Sequence, residues 1–182
     1  MKIKTTRFEE LEVSPEEIIA FPDGILGFTD LKRYCLVDPA DETLILWMQS
    51  LDEPGVAFPV LEPRIFKSDY IVKLSAQELK LLCLENINQS IVFTILTIPR
   101  DVTQMTANLK APIVINLRDQ VGRQVVLQEN EFTLKHLMFK ELKTHLTTIA
   151  ATAKTRSETE RKATSLPINL RSMVPSSQVK TL

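Results

Sequence analysis

Catalysis needs a base beside a nucleophile, or several ligands around a metal. The 182-residue chain offers few groups of either kind. Its only histidines, His136 and His145, stand nine residues apart. On one helix that spacing is roughly 900° of rotation, which turns the two rings to opposite sides. Its two cysteines, Cys35 in RYCLV and Cys83 in LLCLE, sit in apolar or helical surroundings, as small buried thiols do. The carboxylate pairs Glu9/Glu10, Glu16/Glu17 and Asp52/Glu53 are adjacent in sequence, the arrangement of solvated turns. HExxH, CxxC, GxSxG and the phosphate-loop signature are absent from the sequence. The residues therefore predict no catalytic centre, no metal and no cofactor, and they lean toward binding.

The most specific local pattern is FPDGILGF, from Phe21 to Phe28, which holds two of the chain's four glycines. Glycine tolerates positive φ and proline fixes φ, so Gly24 and Gly27 beside Pro22 predict a tightly specified turn. Phe21 and Phe28 would anchor its ends on an apolar surface. The second pattern, LWMQSLDEPGVAFPV, runs from Leu46 to Val60. Trp47, the only tryptophan, reads as a core anchor among Leu44, Leu46 and Met48, with an exposed interface role as the alternative. Gln49 and Ser50 end that strand and are candidates to pair with a partner's backbone. Asn108 and Asn116 bracket APIVIN, where an amide either locks a loop or contacts a ligand.

The elements that position these residues are mostly strands. Alternation predicts a hairpin from Lys2 to Val13, with its connection at Phe8–Glu10. Further Val-, Ile- and Thr-rich runs fall at Tyr34–Val37, Leu44–Gln49, Val56–Val60, Tyr70–Leu74, Ile91–Ile98, Ala111–Asn116 and Gln124–Leu127. SLDEPG and RDQVG supply turns between them. Ser75-Ala76-Gln77-Glu78 is a capping box that opens one short helix with Leu79, Leu81, Leu82 and Leu84 on its apolar face. The fold class is all-β and mainly antiparallel, a compact β-barrel-like domain over residues 1–138.

The rest of the chain has a different character. From Leu134 apolar residues recur at helical spacing through Ala153, and a polar sequence without a period follows. Residues 139–182 are thus expected to form a basic extension, helical to about 153 and largely disordered beyond. Charge follows the same division. Residues 1–138 carry 14 basic and 20 acidic side chains, net −6, and residues 139–182 carry 8 and 3, net +5. An acidic body with a basic tail steers encounters with charged partners. Direct RNA binding through the tail is the alternative, although the acidic body would repel phosphates. The chain shows no signal-peptide pattern and no apolar run of about 18 residues, so a cytoplasmic location is expected.

Taken together, FPDGILGF, LWMQSLDEPGVAFPV, TIPRD with MTANLKAPIVIN, and GRQVVL resemble the FliW family of flagellar assembly factors, in order from about Lys2 to Leu137. Residues matching the family's motifs include Phe21, Pro22, Gly24, Gly27, Phe28, Trp47, Gln49, Ser50, Phe58, Asn108, Pro112, Ile115 and Asn116. The resemblance implies a non-enzymatic cytoplasmic protein that binds flagellin before export. It also implies binding to the translational regulator CsrA, which relieves repression of flagellin mRNA when flagellin is scarce. An export chaperone without the regulatory role is the narrower alternative. Acidic residues of the body, including Glu9, Glu10, Asp52, Glu53 and Asp101, suit a basic RNA-binding partner. Phe21, Gly24, Phe28, Gln49, Ser50, Asn108 and Asn116 complete the candidate partner-binding set. One departure stands out, because family members commonly read GIPGF where this chain has Leu26. That change is worth about 0.5–1 kcal/mol through the unfolded state.

Overall fold

The hairpin opens the chain: β1 (Lys2–Thr5) and β2 (Glu9–Glu12) pair antiparallel, with Ile3 opposite Leu11 and Lys4 opposite Glu10. The connection lies two residues earlier than expected, at Thr6–Phe8, and Glu9 takes a φ of 54° as the chain re-enters the strand. The architecture comes from a computed structural model that describes residues 1–39, 43–129 and 131–148. Met1–Leu142 form one compact unit and Lys143–Leu182 a second. The strands that follow the hairpin are β3 (Ile19–Ala20), β4 (Arg33–Val37), β5 (Leu46–Ser50), β6 (Ala57–Leu61) and β7 (Ile91–Thr97). After them come β8 (Thr106–Ala107), β9 (Ile113–Asn116), β10 (Val121–Gln124) and β11 (His136–Leu137).

Seven of these strands close a barrel in the order β3-β4-β5-β6-β7-β9-β10 and back to β3. Every neighbour is antiparallel except β10 and β3, which meet in parallel with Val121 opposite Ala20. Closure removes the free edges that an open sheet would expose. Period-two alternation divides the side chains between two cores. Ile19, Phe21, Tyr34, Met48, Val60, Phe93, Ile113 and Ile115 fill the barrel. Val114, Leu96 and Leu61 point the other way, into an outer core with Phe66, Tyr70, Leu82, Leu109 and Met138. A third cluster of Val13, Cys35 and Leu51 lies under the opening hairpin and takes Ile3 and Leu11.

The short helix α1 (Ala76–Leu81) starts where the capping box places it. Ser75 N donates to Glu78 Oε2 at 2.6 Å, and Glu78 N donates to Ser75 Oγ at 3.3 Å. Two further expectations shift. The last barrel strand is Val121–Gln124 rather than Gln124–Leu127, because the turn tightens to residues 117–120, with Gln120 at φ 52°. The C-terminal helix begins at residue 139, not 134, because His136 and Leu137 pair with Ala107 and Thr106 as β11. His136 is therefore a strand residue whose ring stacks on Phe66 at 6.1 Å and bonds Glu141 at 2.7 Å. Residues 139–148 are helical. The remainder of the expected helix and the expected disordered tail lie outside the described residues. No helix among the described residues is long and apolar enough to cross a membrane.

Two buried tyrosines offer a contrast that stability measurements can read. The Tyr70 hydroxyl donates to Leu109 O at 2.7 Å. The Tyr34 hydroxyl is buried in the barrel with no hydrogen-bond partner among the described residues. Burial, with Asp52 nearby, pushes the Tyr34 phenol up to about 12. Removing a partnered hydroxyl strands a buried carbonyl, whereas removing an unpartnered one relieves a desolvation penalty. Tyr70→Phe is thus expected to lose about 1–2 kcal/mol in urea unfolding, and Tyr34→Phe to be neutral or stabilising.

Candidate partner-binding surface

The FPDGILGF turn is braced from three directions. Gly24 and Gly27 adopt φ of 69° and 84°, and Gly24 N donates to Phe21 O at 2.9 Å. Phe21 is fully buried and meets Tyr34 edge to face at 5.1 Å. Phe28 packs edge to face on Phe58 at 5.1 Å but keeps 39% of its surface exposed. From β10, Gln124 Oε1 accepts from Leu26 N at 2.9 Å, Gln124 Nε2 donates to Ala111 O at 3.1 Å, and Arg123 pairs with Asp23. Leu26, at the tip, is 61% exposed. These bonds hold the turn, and it carries a large apolar side chain into solvent.

The β5–β6 connection stands beside it. Asp52 Oδ2 accepts from Lys32 N at 2.6 Å and Arg33 N at 2.8 Å, while Oδ1 accepts from Arg33 Nε at 2.7 Å. Lys32 Nζ in turn donates to Pro22 O at 2.7 Å. Burial alone would raise the Asp52 carboxyl, but these donors outweigh it and hold it below the usual carboxylate range. A depressed carboxylate contributes stability that is present above its unfolded pKa and lost as pH falls through its folded one. Acid is therefore expected to loosen this corner below about pH 4, and Asp52→Asn to flatten that part of the stability–pH curve. Thermal melts of both proteins between about pH 2 and 7 would show it.

Several residues expected to touch a partner are committed inside the fold instead. Gln49 is fully buried, and its Nε2 donates to Ser50 O, Pro54 O and Val56 O at 2.9, 3.2 and 3.0 Å. Ser50 Oγ, also buried, accepts from Glu53 N at 3.0 Å and Asp52 N at 3.2 Å. Asn116 Nδ2 donates to Leu82 O at 3.0 Å, Cys83 O at 3.2 Å and Asp119 Oδ2 at 2.8 Å, pinning the end of α1 to the β9–β10 turn. Asn108 Oδ1 accepts from Ala111 N at 3.0 Å to set up β9. Phe21 and Gly24 are buried as well. A side chain with no accessible surface makes no contact with a partner in this conformation, so Phe21, Gly24, Gln49, Ser50 and Asn116 shape the surface rather than form it, while Asn108 is half-buried.

Of the candidate set, Phe28, Asp52, Glu53 and Asp101 remain exposed. Asp101 Oδ1 accepts from Thr103 N at 3.0 Å and caps its own turn. Glu53 Oε1 accepts from Gly55 N at 3.3 Å. Trp47 does not anchor the core. Leu46 and Met48 belong to the barrel interior, which leaves Trp47 on the opposite face, half-buried, with the Arg7 guanidinium 3.4 Å over its ring and Phe8 at its edge. The alternation LWMQS carries that signal, since an inward Met48 turns Trp47 outward. Leu26, Asp23 and Gln124 went unread as site residues, because their bonds join positions about a hundred residues apart in sequence.

The molecule is thus a small closed β-barrel with one braced connection that presents an apolar tip. The family model described as FliW protein matches residues 2–138. A flagellar assembly factor FliW of Bdellovibrio bacteriovorus is 40% identical over 142 residues, covering 78% of this chain and 81% of that relative. One from Thermoanaerobacter pseudethanolicus is 37% identical over 144 residues, covering 79% and 96%. A crystal structure of the flagellar assembly factor FliW superposes with a TM-score of 0.72 at 32% identity, covering 76% of this chain and 97% of that one. The chain belongs to the FliW family of flagellar assembly factors.

Proposed function

We propose that this protein is a cytoplasmic, non-enzymatic binding factor for flagellin that also captures CsrA, so that flagellin level sets flagellin translation. Family membership over residues 2–138 carries the reading. The geometry supports it in two ways. Glu9, Glu10 and Glu53 are exposed acids on the body, as a basic partner requires. In addition, Leu26 and Phe28 stand on a braced turn, as an apolar anchor for a protein partner requires. The regulatory logic needs only that the two partner complexes exclude one another.

The test is a competition with purified full-length chain, flagellin and CsrA. Flagellin is expected to displace CsrA in proportion to its concentration. Recovery of neither partner refutes the proposal, and flagellin binding without CsrA binding reduces it to an export chaperone. RNA capture that disappears when the tail is removed, with neither protein bound, supports the rival reading. Leu26→Asp changes an exposed tip and should leave the melting temperature within about 3 °C. It should weaken flagellin binding at least tenfold, about 1.4 kcal/mol. Charge reversal of Glu9, Glu10 and Glu53, which spares the turn-holding Asp52 and Asp101, should weaken CsrA binding at low salt. Unchanged affinity there removes the acidic surface from the CsrA contact.

A further inference from the structure

Tyr70–Leu74 has the sequence of a strand, but beyond Tyr70 its backbone has no ladder partner among the described residues. Tyr70 and Val72 are buried and Leu74 packs against the outer core, while Ile71 and Lys73 face solvent. That alternation is the period of an extended strand. Yet no backbone N–H or C=O of Ile71, Val72, Lys73 or Leu74 bonds another described residue. The sheet beside this segment also opens. The pairing of β6 with β7 stops at Leu61 opposite Thr94, where the chain turns off into the 3-10 segment Pro63–Ile65. Pro63 lacks an N–H and cannot extend the ladder. Ile91, Val92 and Phe93 continue along β9 on one side only. Between the two gaps lies a groove of about 520 Å³, whose lining includes Arg64, Ile71, Val72, Ile91 and Val92.

The geometry points to strand addition: this groove takes an extended, mainly apolar peptide segment of a partner protein that carries a carboxylate beside Lys73. The free backbone groups of Ile71–Leu74 call for a partner that donates and accepts at strand spacing, which a peptide backbone supplies. Ile71, 58% exposed, and Ile91, 37% exposed, call for apolar side chains on one face of that peptide. Arg64 and the flanking Lys73 call for carboxylates on it, since neither is in an ion pair among the described residues. The one acid in the lining, Glu62, sits where β6 leaves β7. An unpaired edge of this kind is an aggregation liability unless it is charged or covered, and Lys73 is the charge that guards it. The surface is separate from the braced turn, so the inference does not rest on the flagellin and CsrA reading.

The test uses the full chain and a labelled, end-blocked, valine-rich peptide of about eight residues whose two glutamates stand two positions apart and so share a face. Its controls are a composition-matched scrambled peptide and the same peptide N-methylated at alternate residues. This peptide is expected to bind with a Kd below about 1 mM. It should slow amide exchange at Ile71–Leu74 at least tenfold. N-methylation should weaken binding at least tenfold, and Lys73→Glu, an exposed change, at least threefold. Absence of binding overturns the inference. So does equal binding of the scrambled or N-methylated peptide, which would be capture by charge alone. Amides at 71–74 that are already protected in free protein, in a concentration-dependent manner, would assign the edge to a second copy of this chain and overturn it as well.

Discussion

Gly24→Ala is expected to lower stability by about 3 kcal/mol or more, enough to move the melting temperature by on the order of 10 °C. Two effects combine. The position has a φ of 69°, where an L side chain adds about 1–2 kcal/mol of strain. A Cβ there would also lie 2.6 Å from Phe28 O and 2.7 Å from both Thr29 Cα and Thr29 O. All three are backbone atoms of the same turn, so relief requires the turn itself to open. Gly27 supplies the internal control. Its φ of 84° is equally left-handed, but a Cβ would meet nothing within 4 Å. Gly27→Ala should therefore show the conformational part alone, about 1 kcal/mol. Urea midpoints for the two variants would separate strain from crowding, and equal losses would show that the Gly24 contacts are relieved at no cost.

Gly122→Ala is expected to lose about 2–4 kcal/mol for a different reason. Gly122 lies in β10, and a Cβ there would reach 2.4 Å from Phe21 Cζ and 2.6 Å from Cε2. Phe21 is fully buried and held against Tyr34, so its ring has no empty space to enter. The strand therefore lacks a side chain at the one place where the barrel needs room for the ring. Shortening the ring should restore tolerance. In the double variant Gly122→Ala/Phe21→Leu, the combined loss should fall short of the sum of the single losses by at least about 1 kcal/mol. Strict additivity would mean that the two residues do not crowd one another.

These two glycines also mark what could be read along the chain. Gly24 announces itself locally, since Pro22, Asp23 and a second glycine stand within five residues. Gly122 gives no such signal. Its reason lies a hundred residues away in Phe21, and on propensity alone a glycine weakens a strand. That is why β10 was expected three residues later, in the Val-rich Gln124–Leu127, than where it forms. The helix start shows the same limit. Leu134, Leu137 and Met138 fit a helical period, but the exposed edge of Thr106–Ala107 draws His136 and Leu137 into a ladder.

The candidate site divides in the same way. Residue types marked Phe28, Asp52, Glu53 and Asp101 as partner-binding candidates, and these stay exposed, but they could not tell that Gln49 Nε2, Ser50 Oγ and Asn116 Nδ2 bond loop carbonyls and amides. A polar side chain at a strand end reads identically whether its partner is a neighbouring loop or another protein. Trp47 was legible in principle, because Met48 beside it belongs inside.

By itself the sequence determined what depends on neighbours within a few residues. That covers the capping box at Ser75 and Glu78, the left-handed turn at Gly24 and Gly27, the opening hairpin, and an ordered set of motifs specific enough to place the chain in its family. Only the tertiary structure decided how the barrel closes, through β7 on β9 and the single parallel contact of Val121 with Ala20. It alone showed that Leu26 stands exposed while Phe21 is sealed, and that the extended segment Ile71–Leu74 makes no ladder bond among the described residues. The physical reason is common to all three. A hydrogen-bond cap or a φ constraint acts on the residue that carries it, whereas burial and strand pairing are set by whichever distant segment arrives alongside.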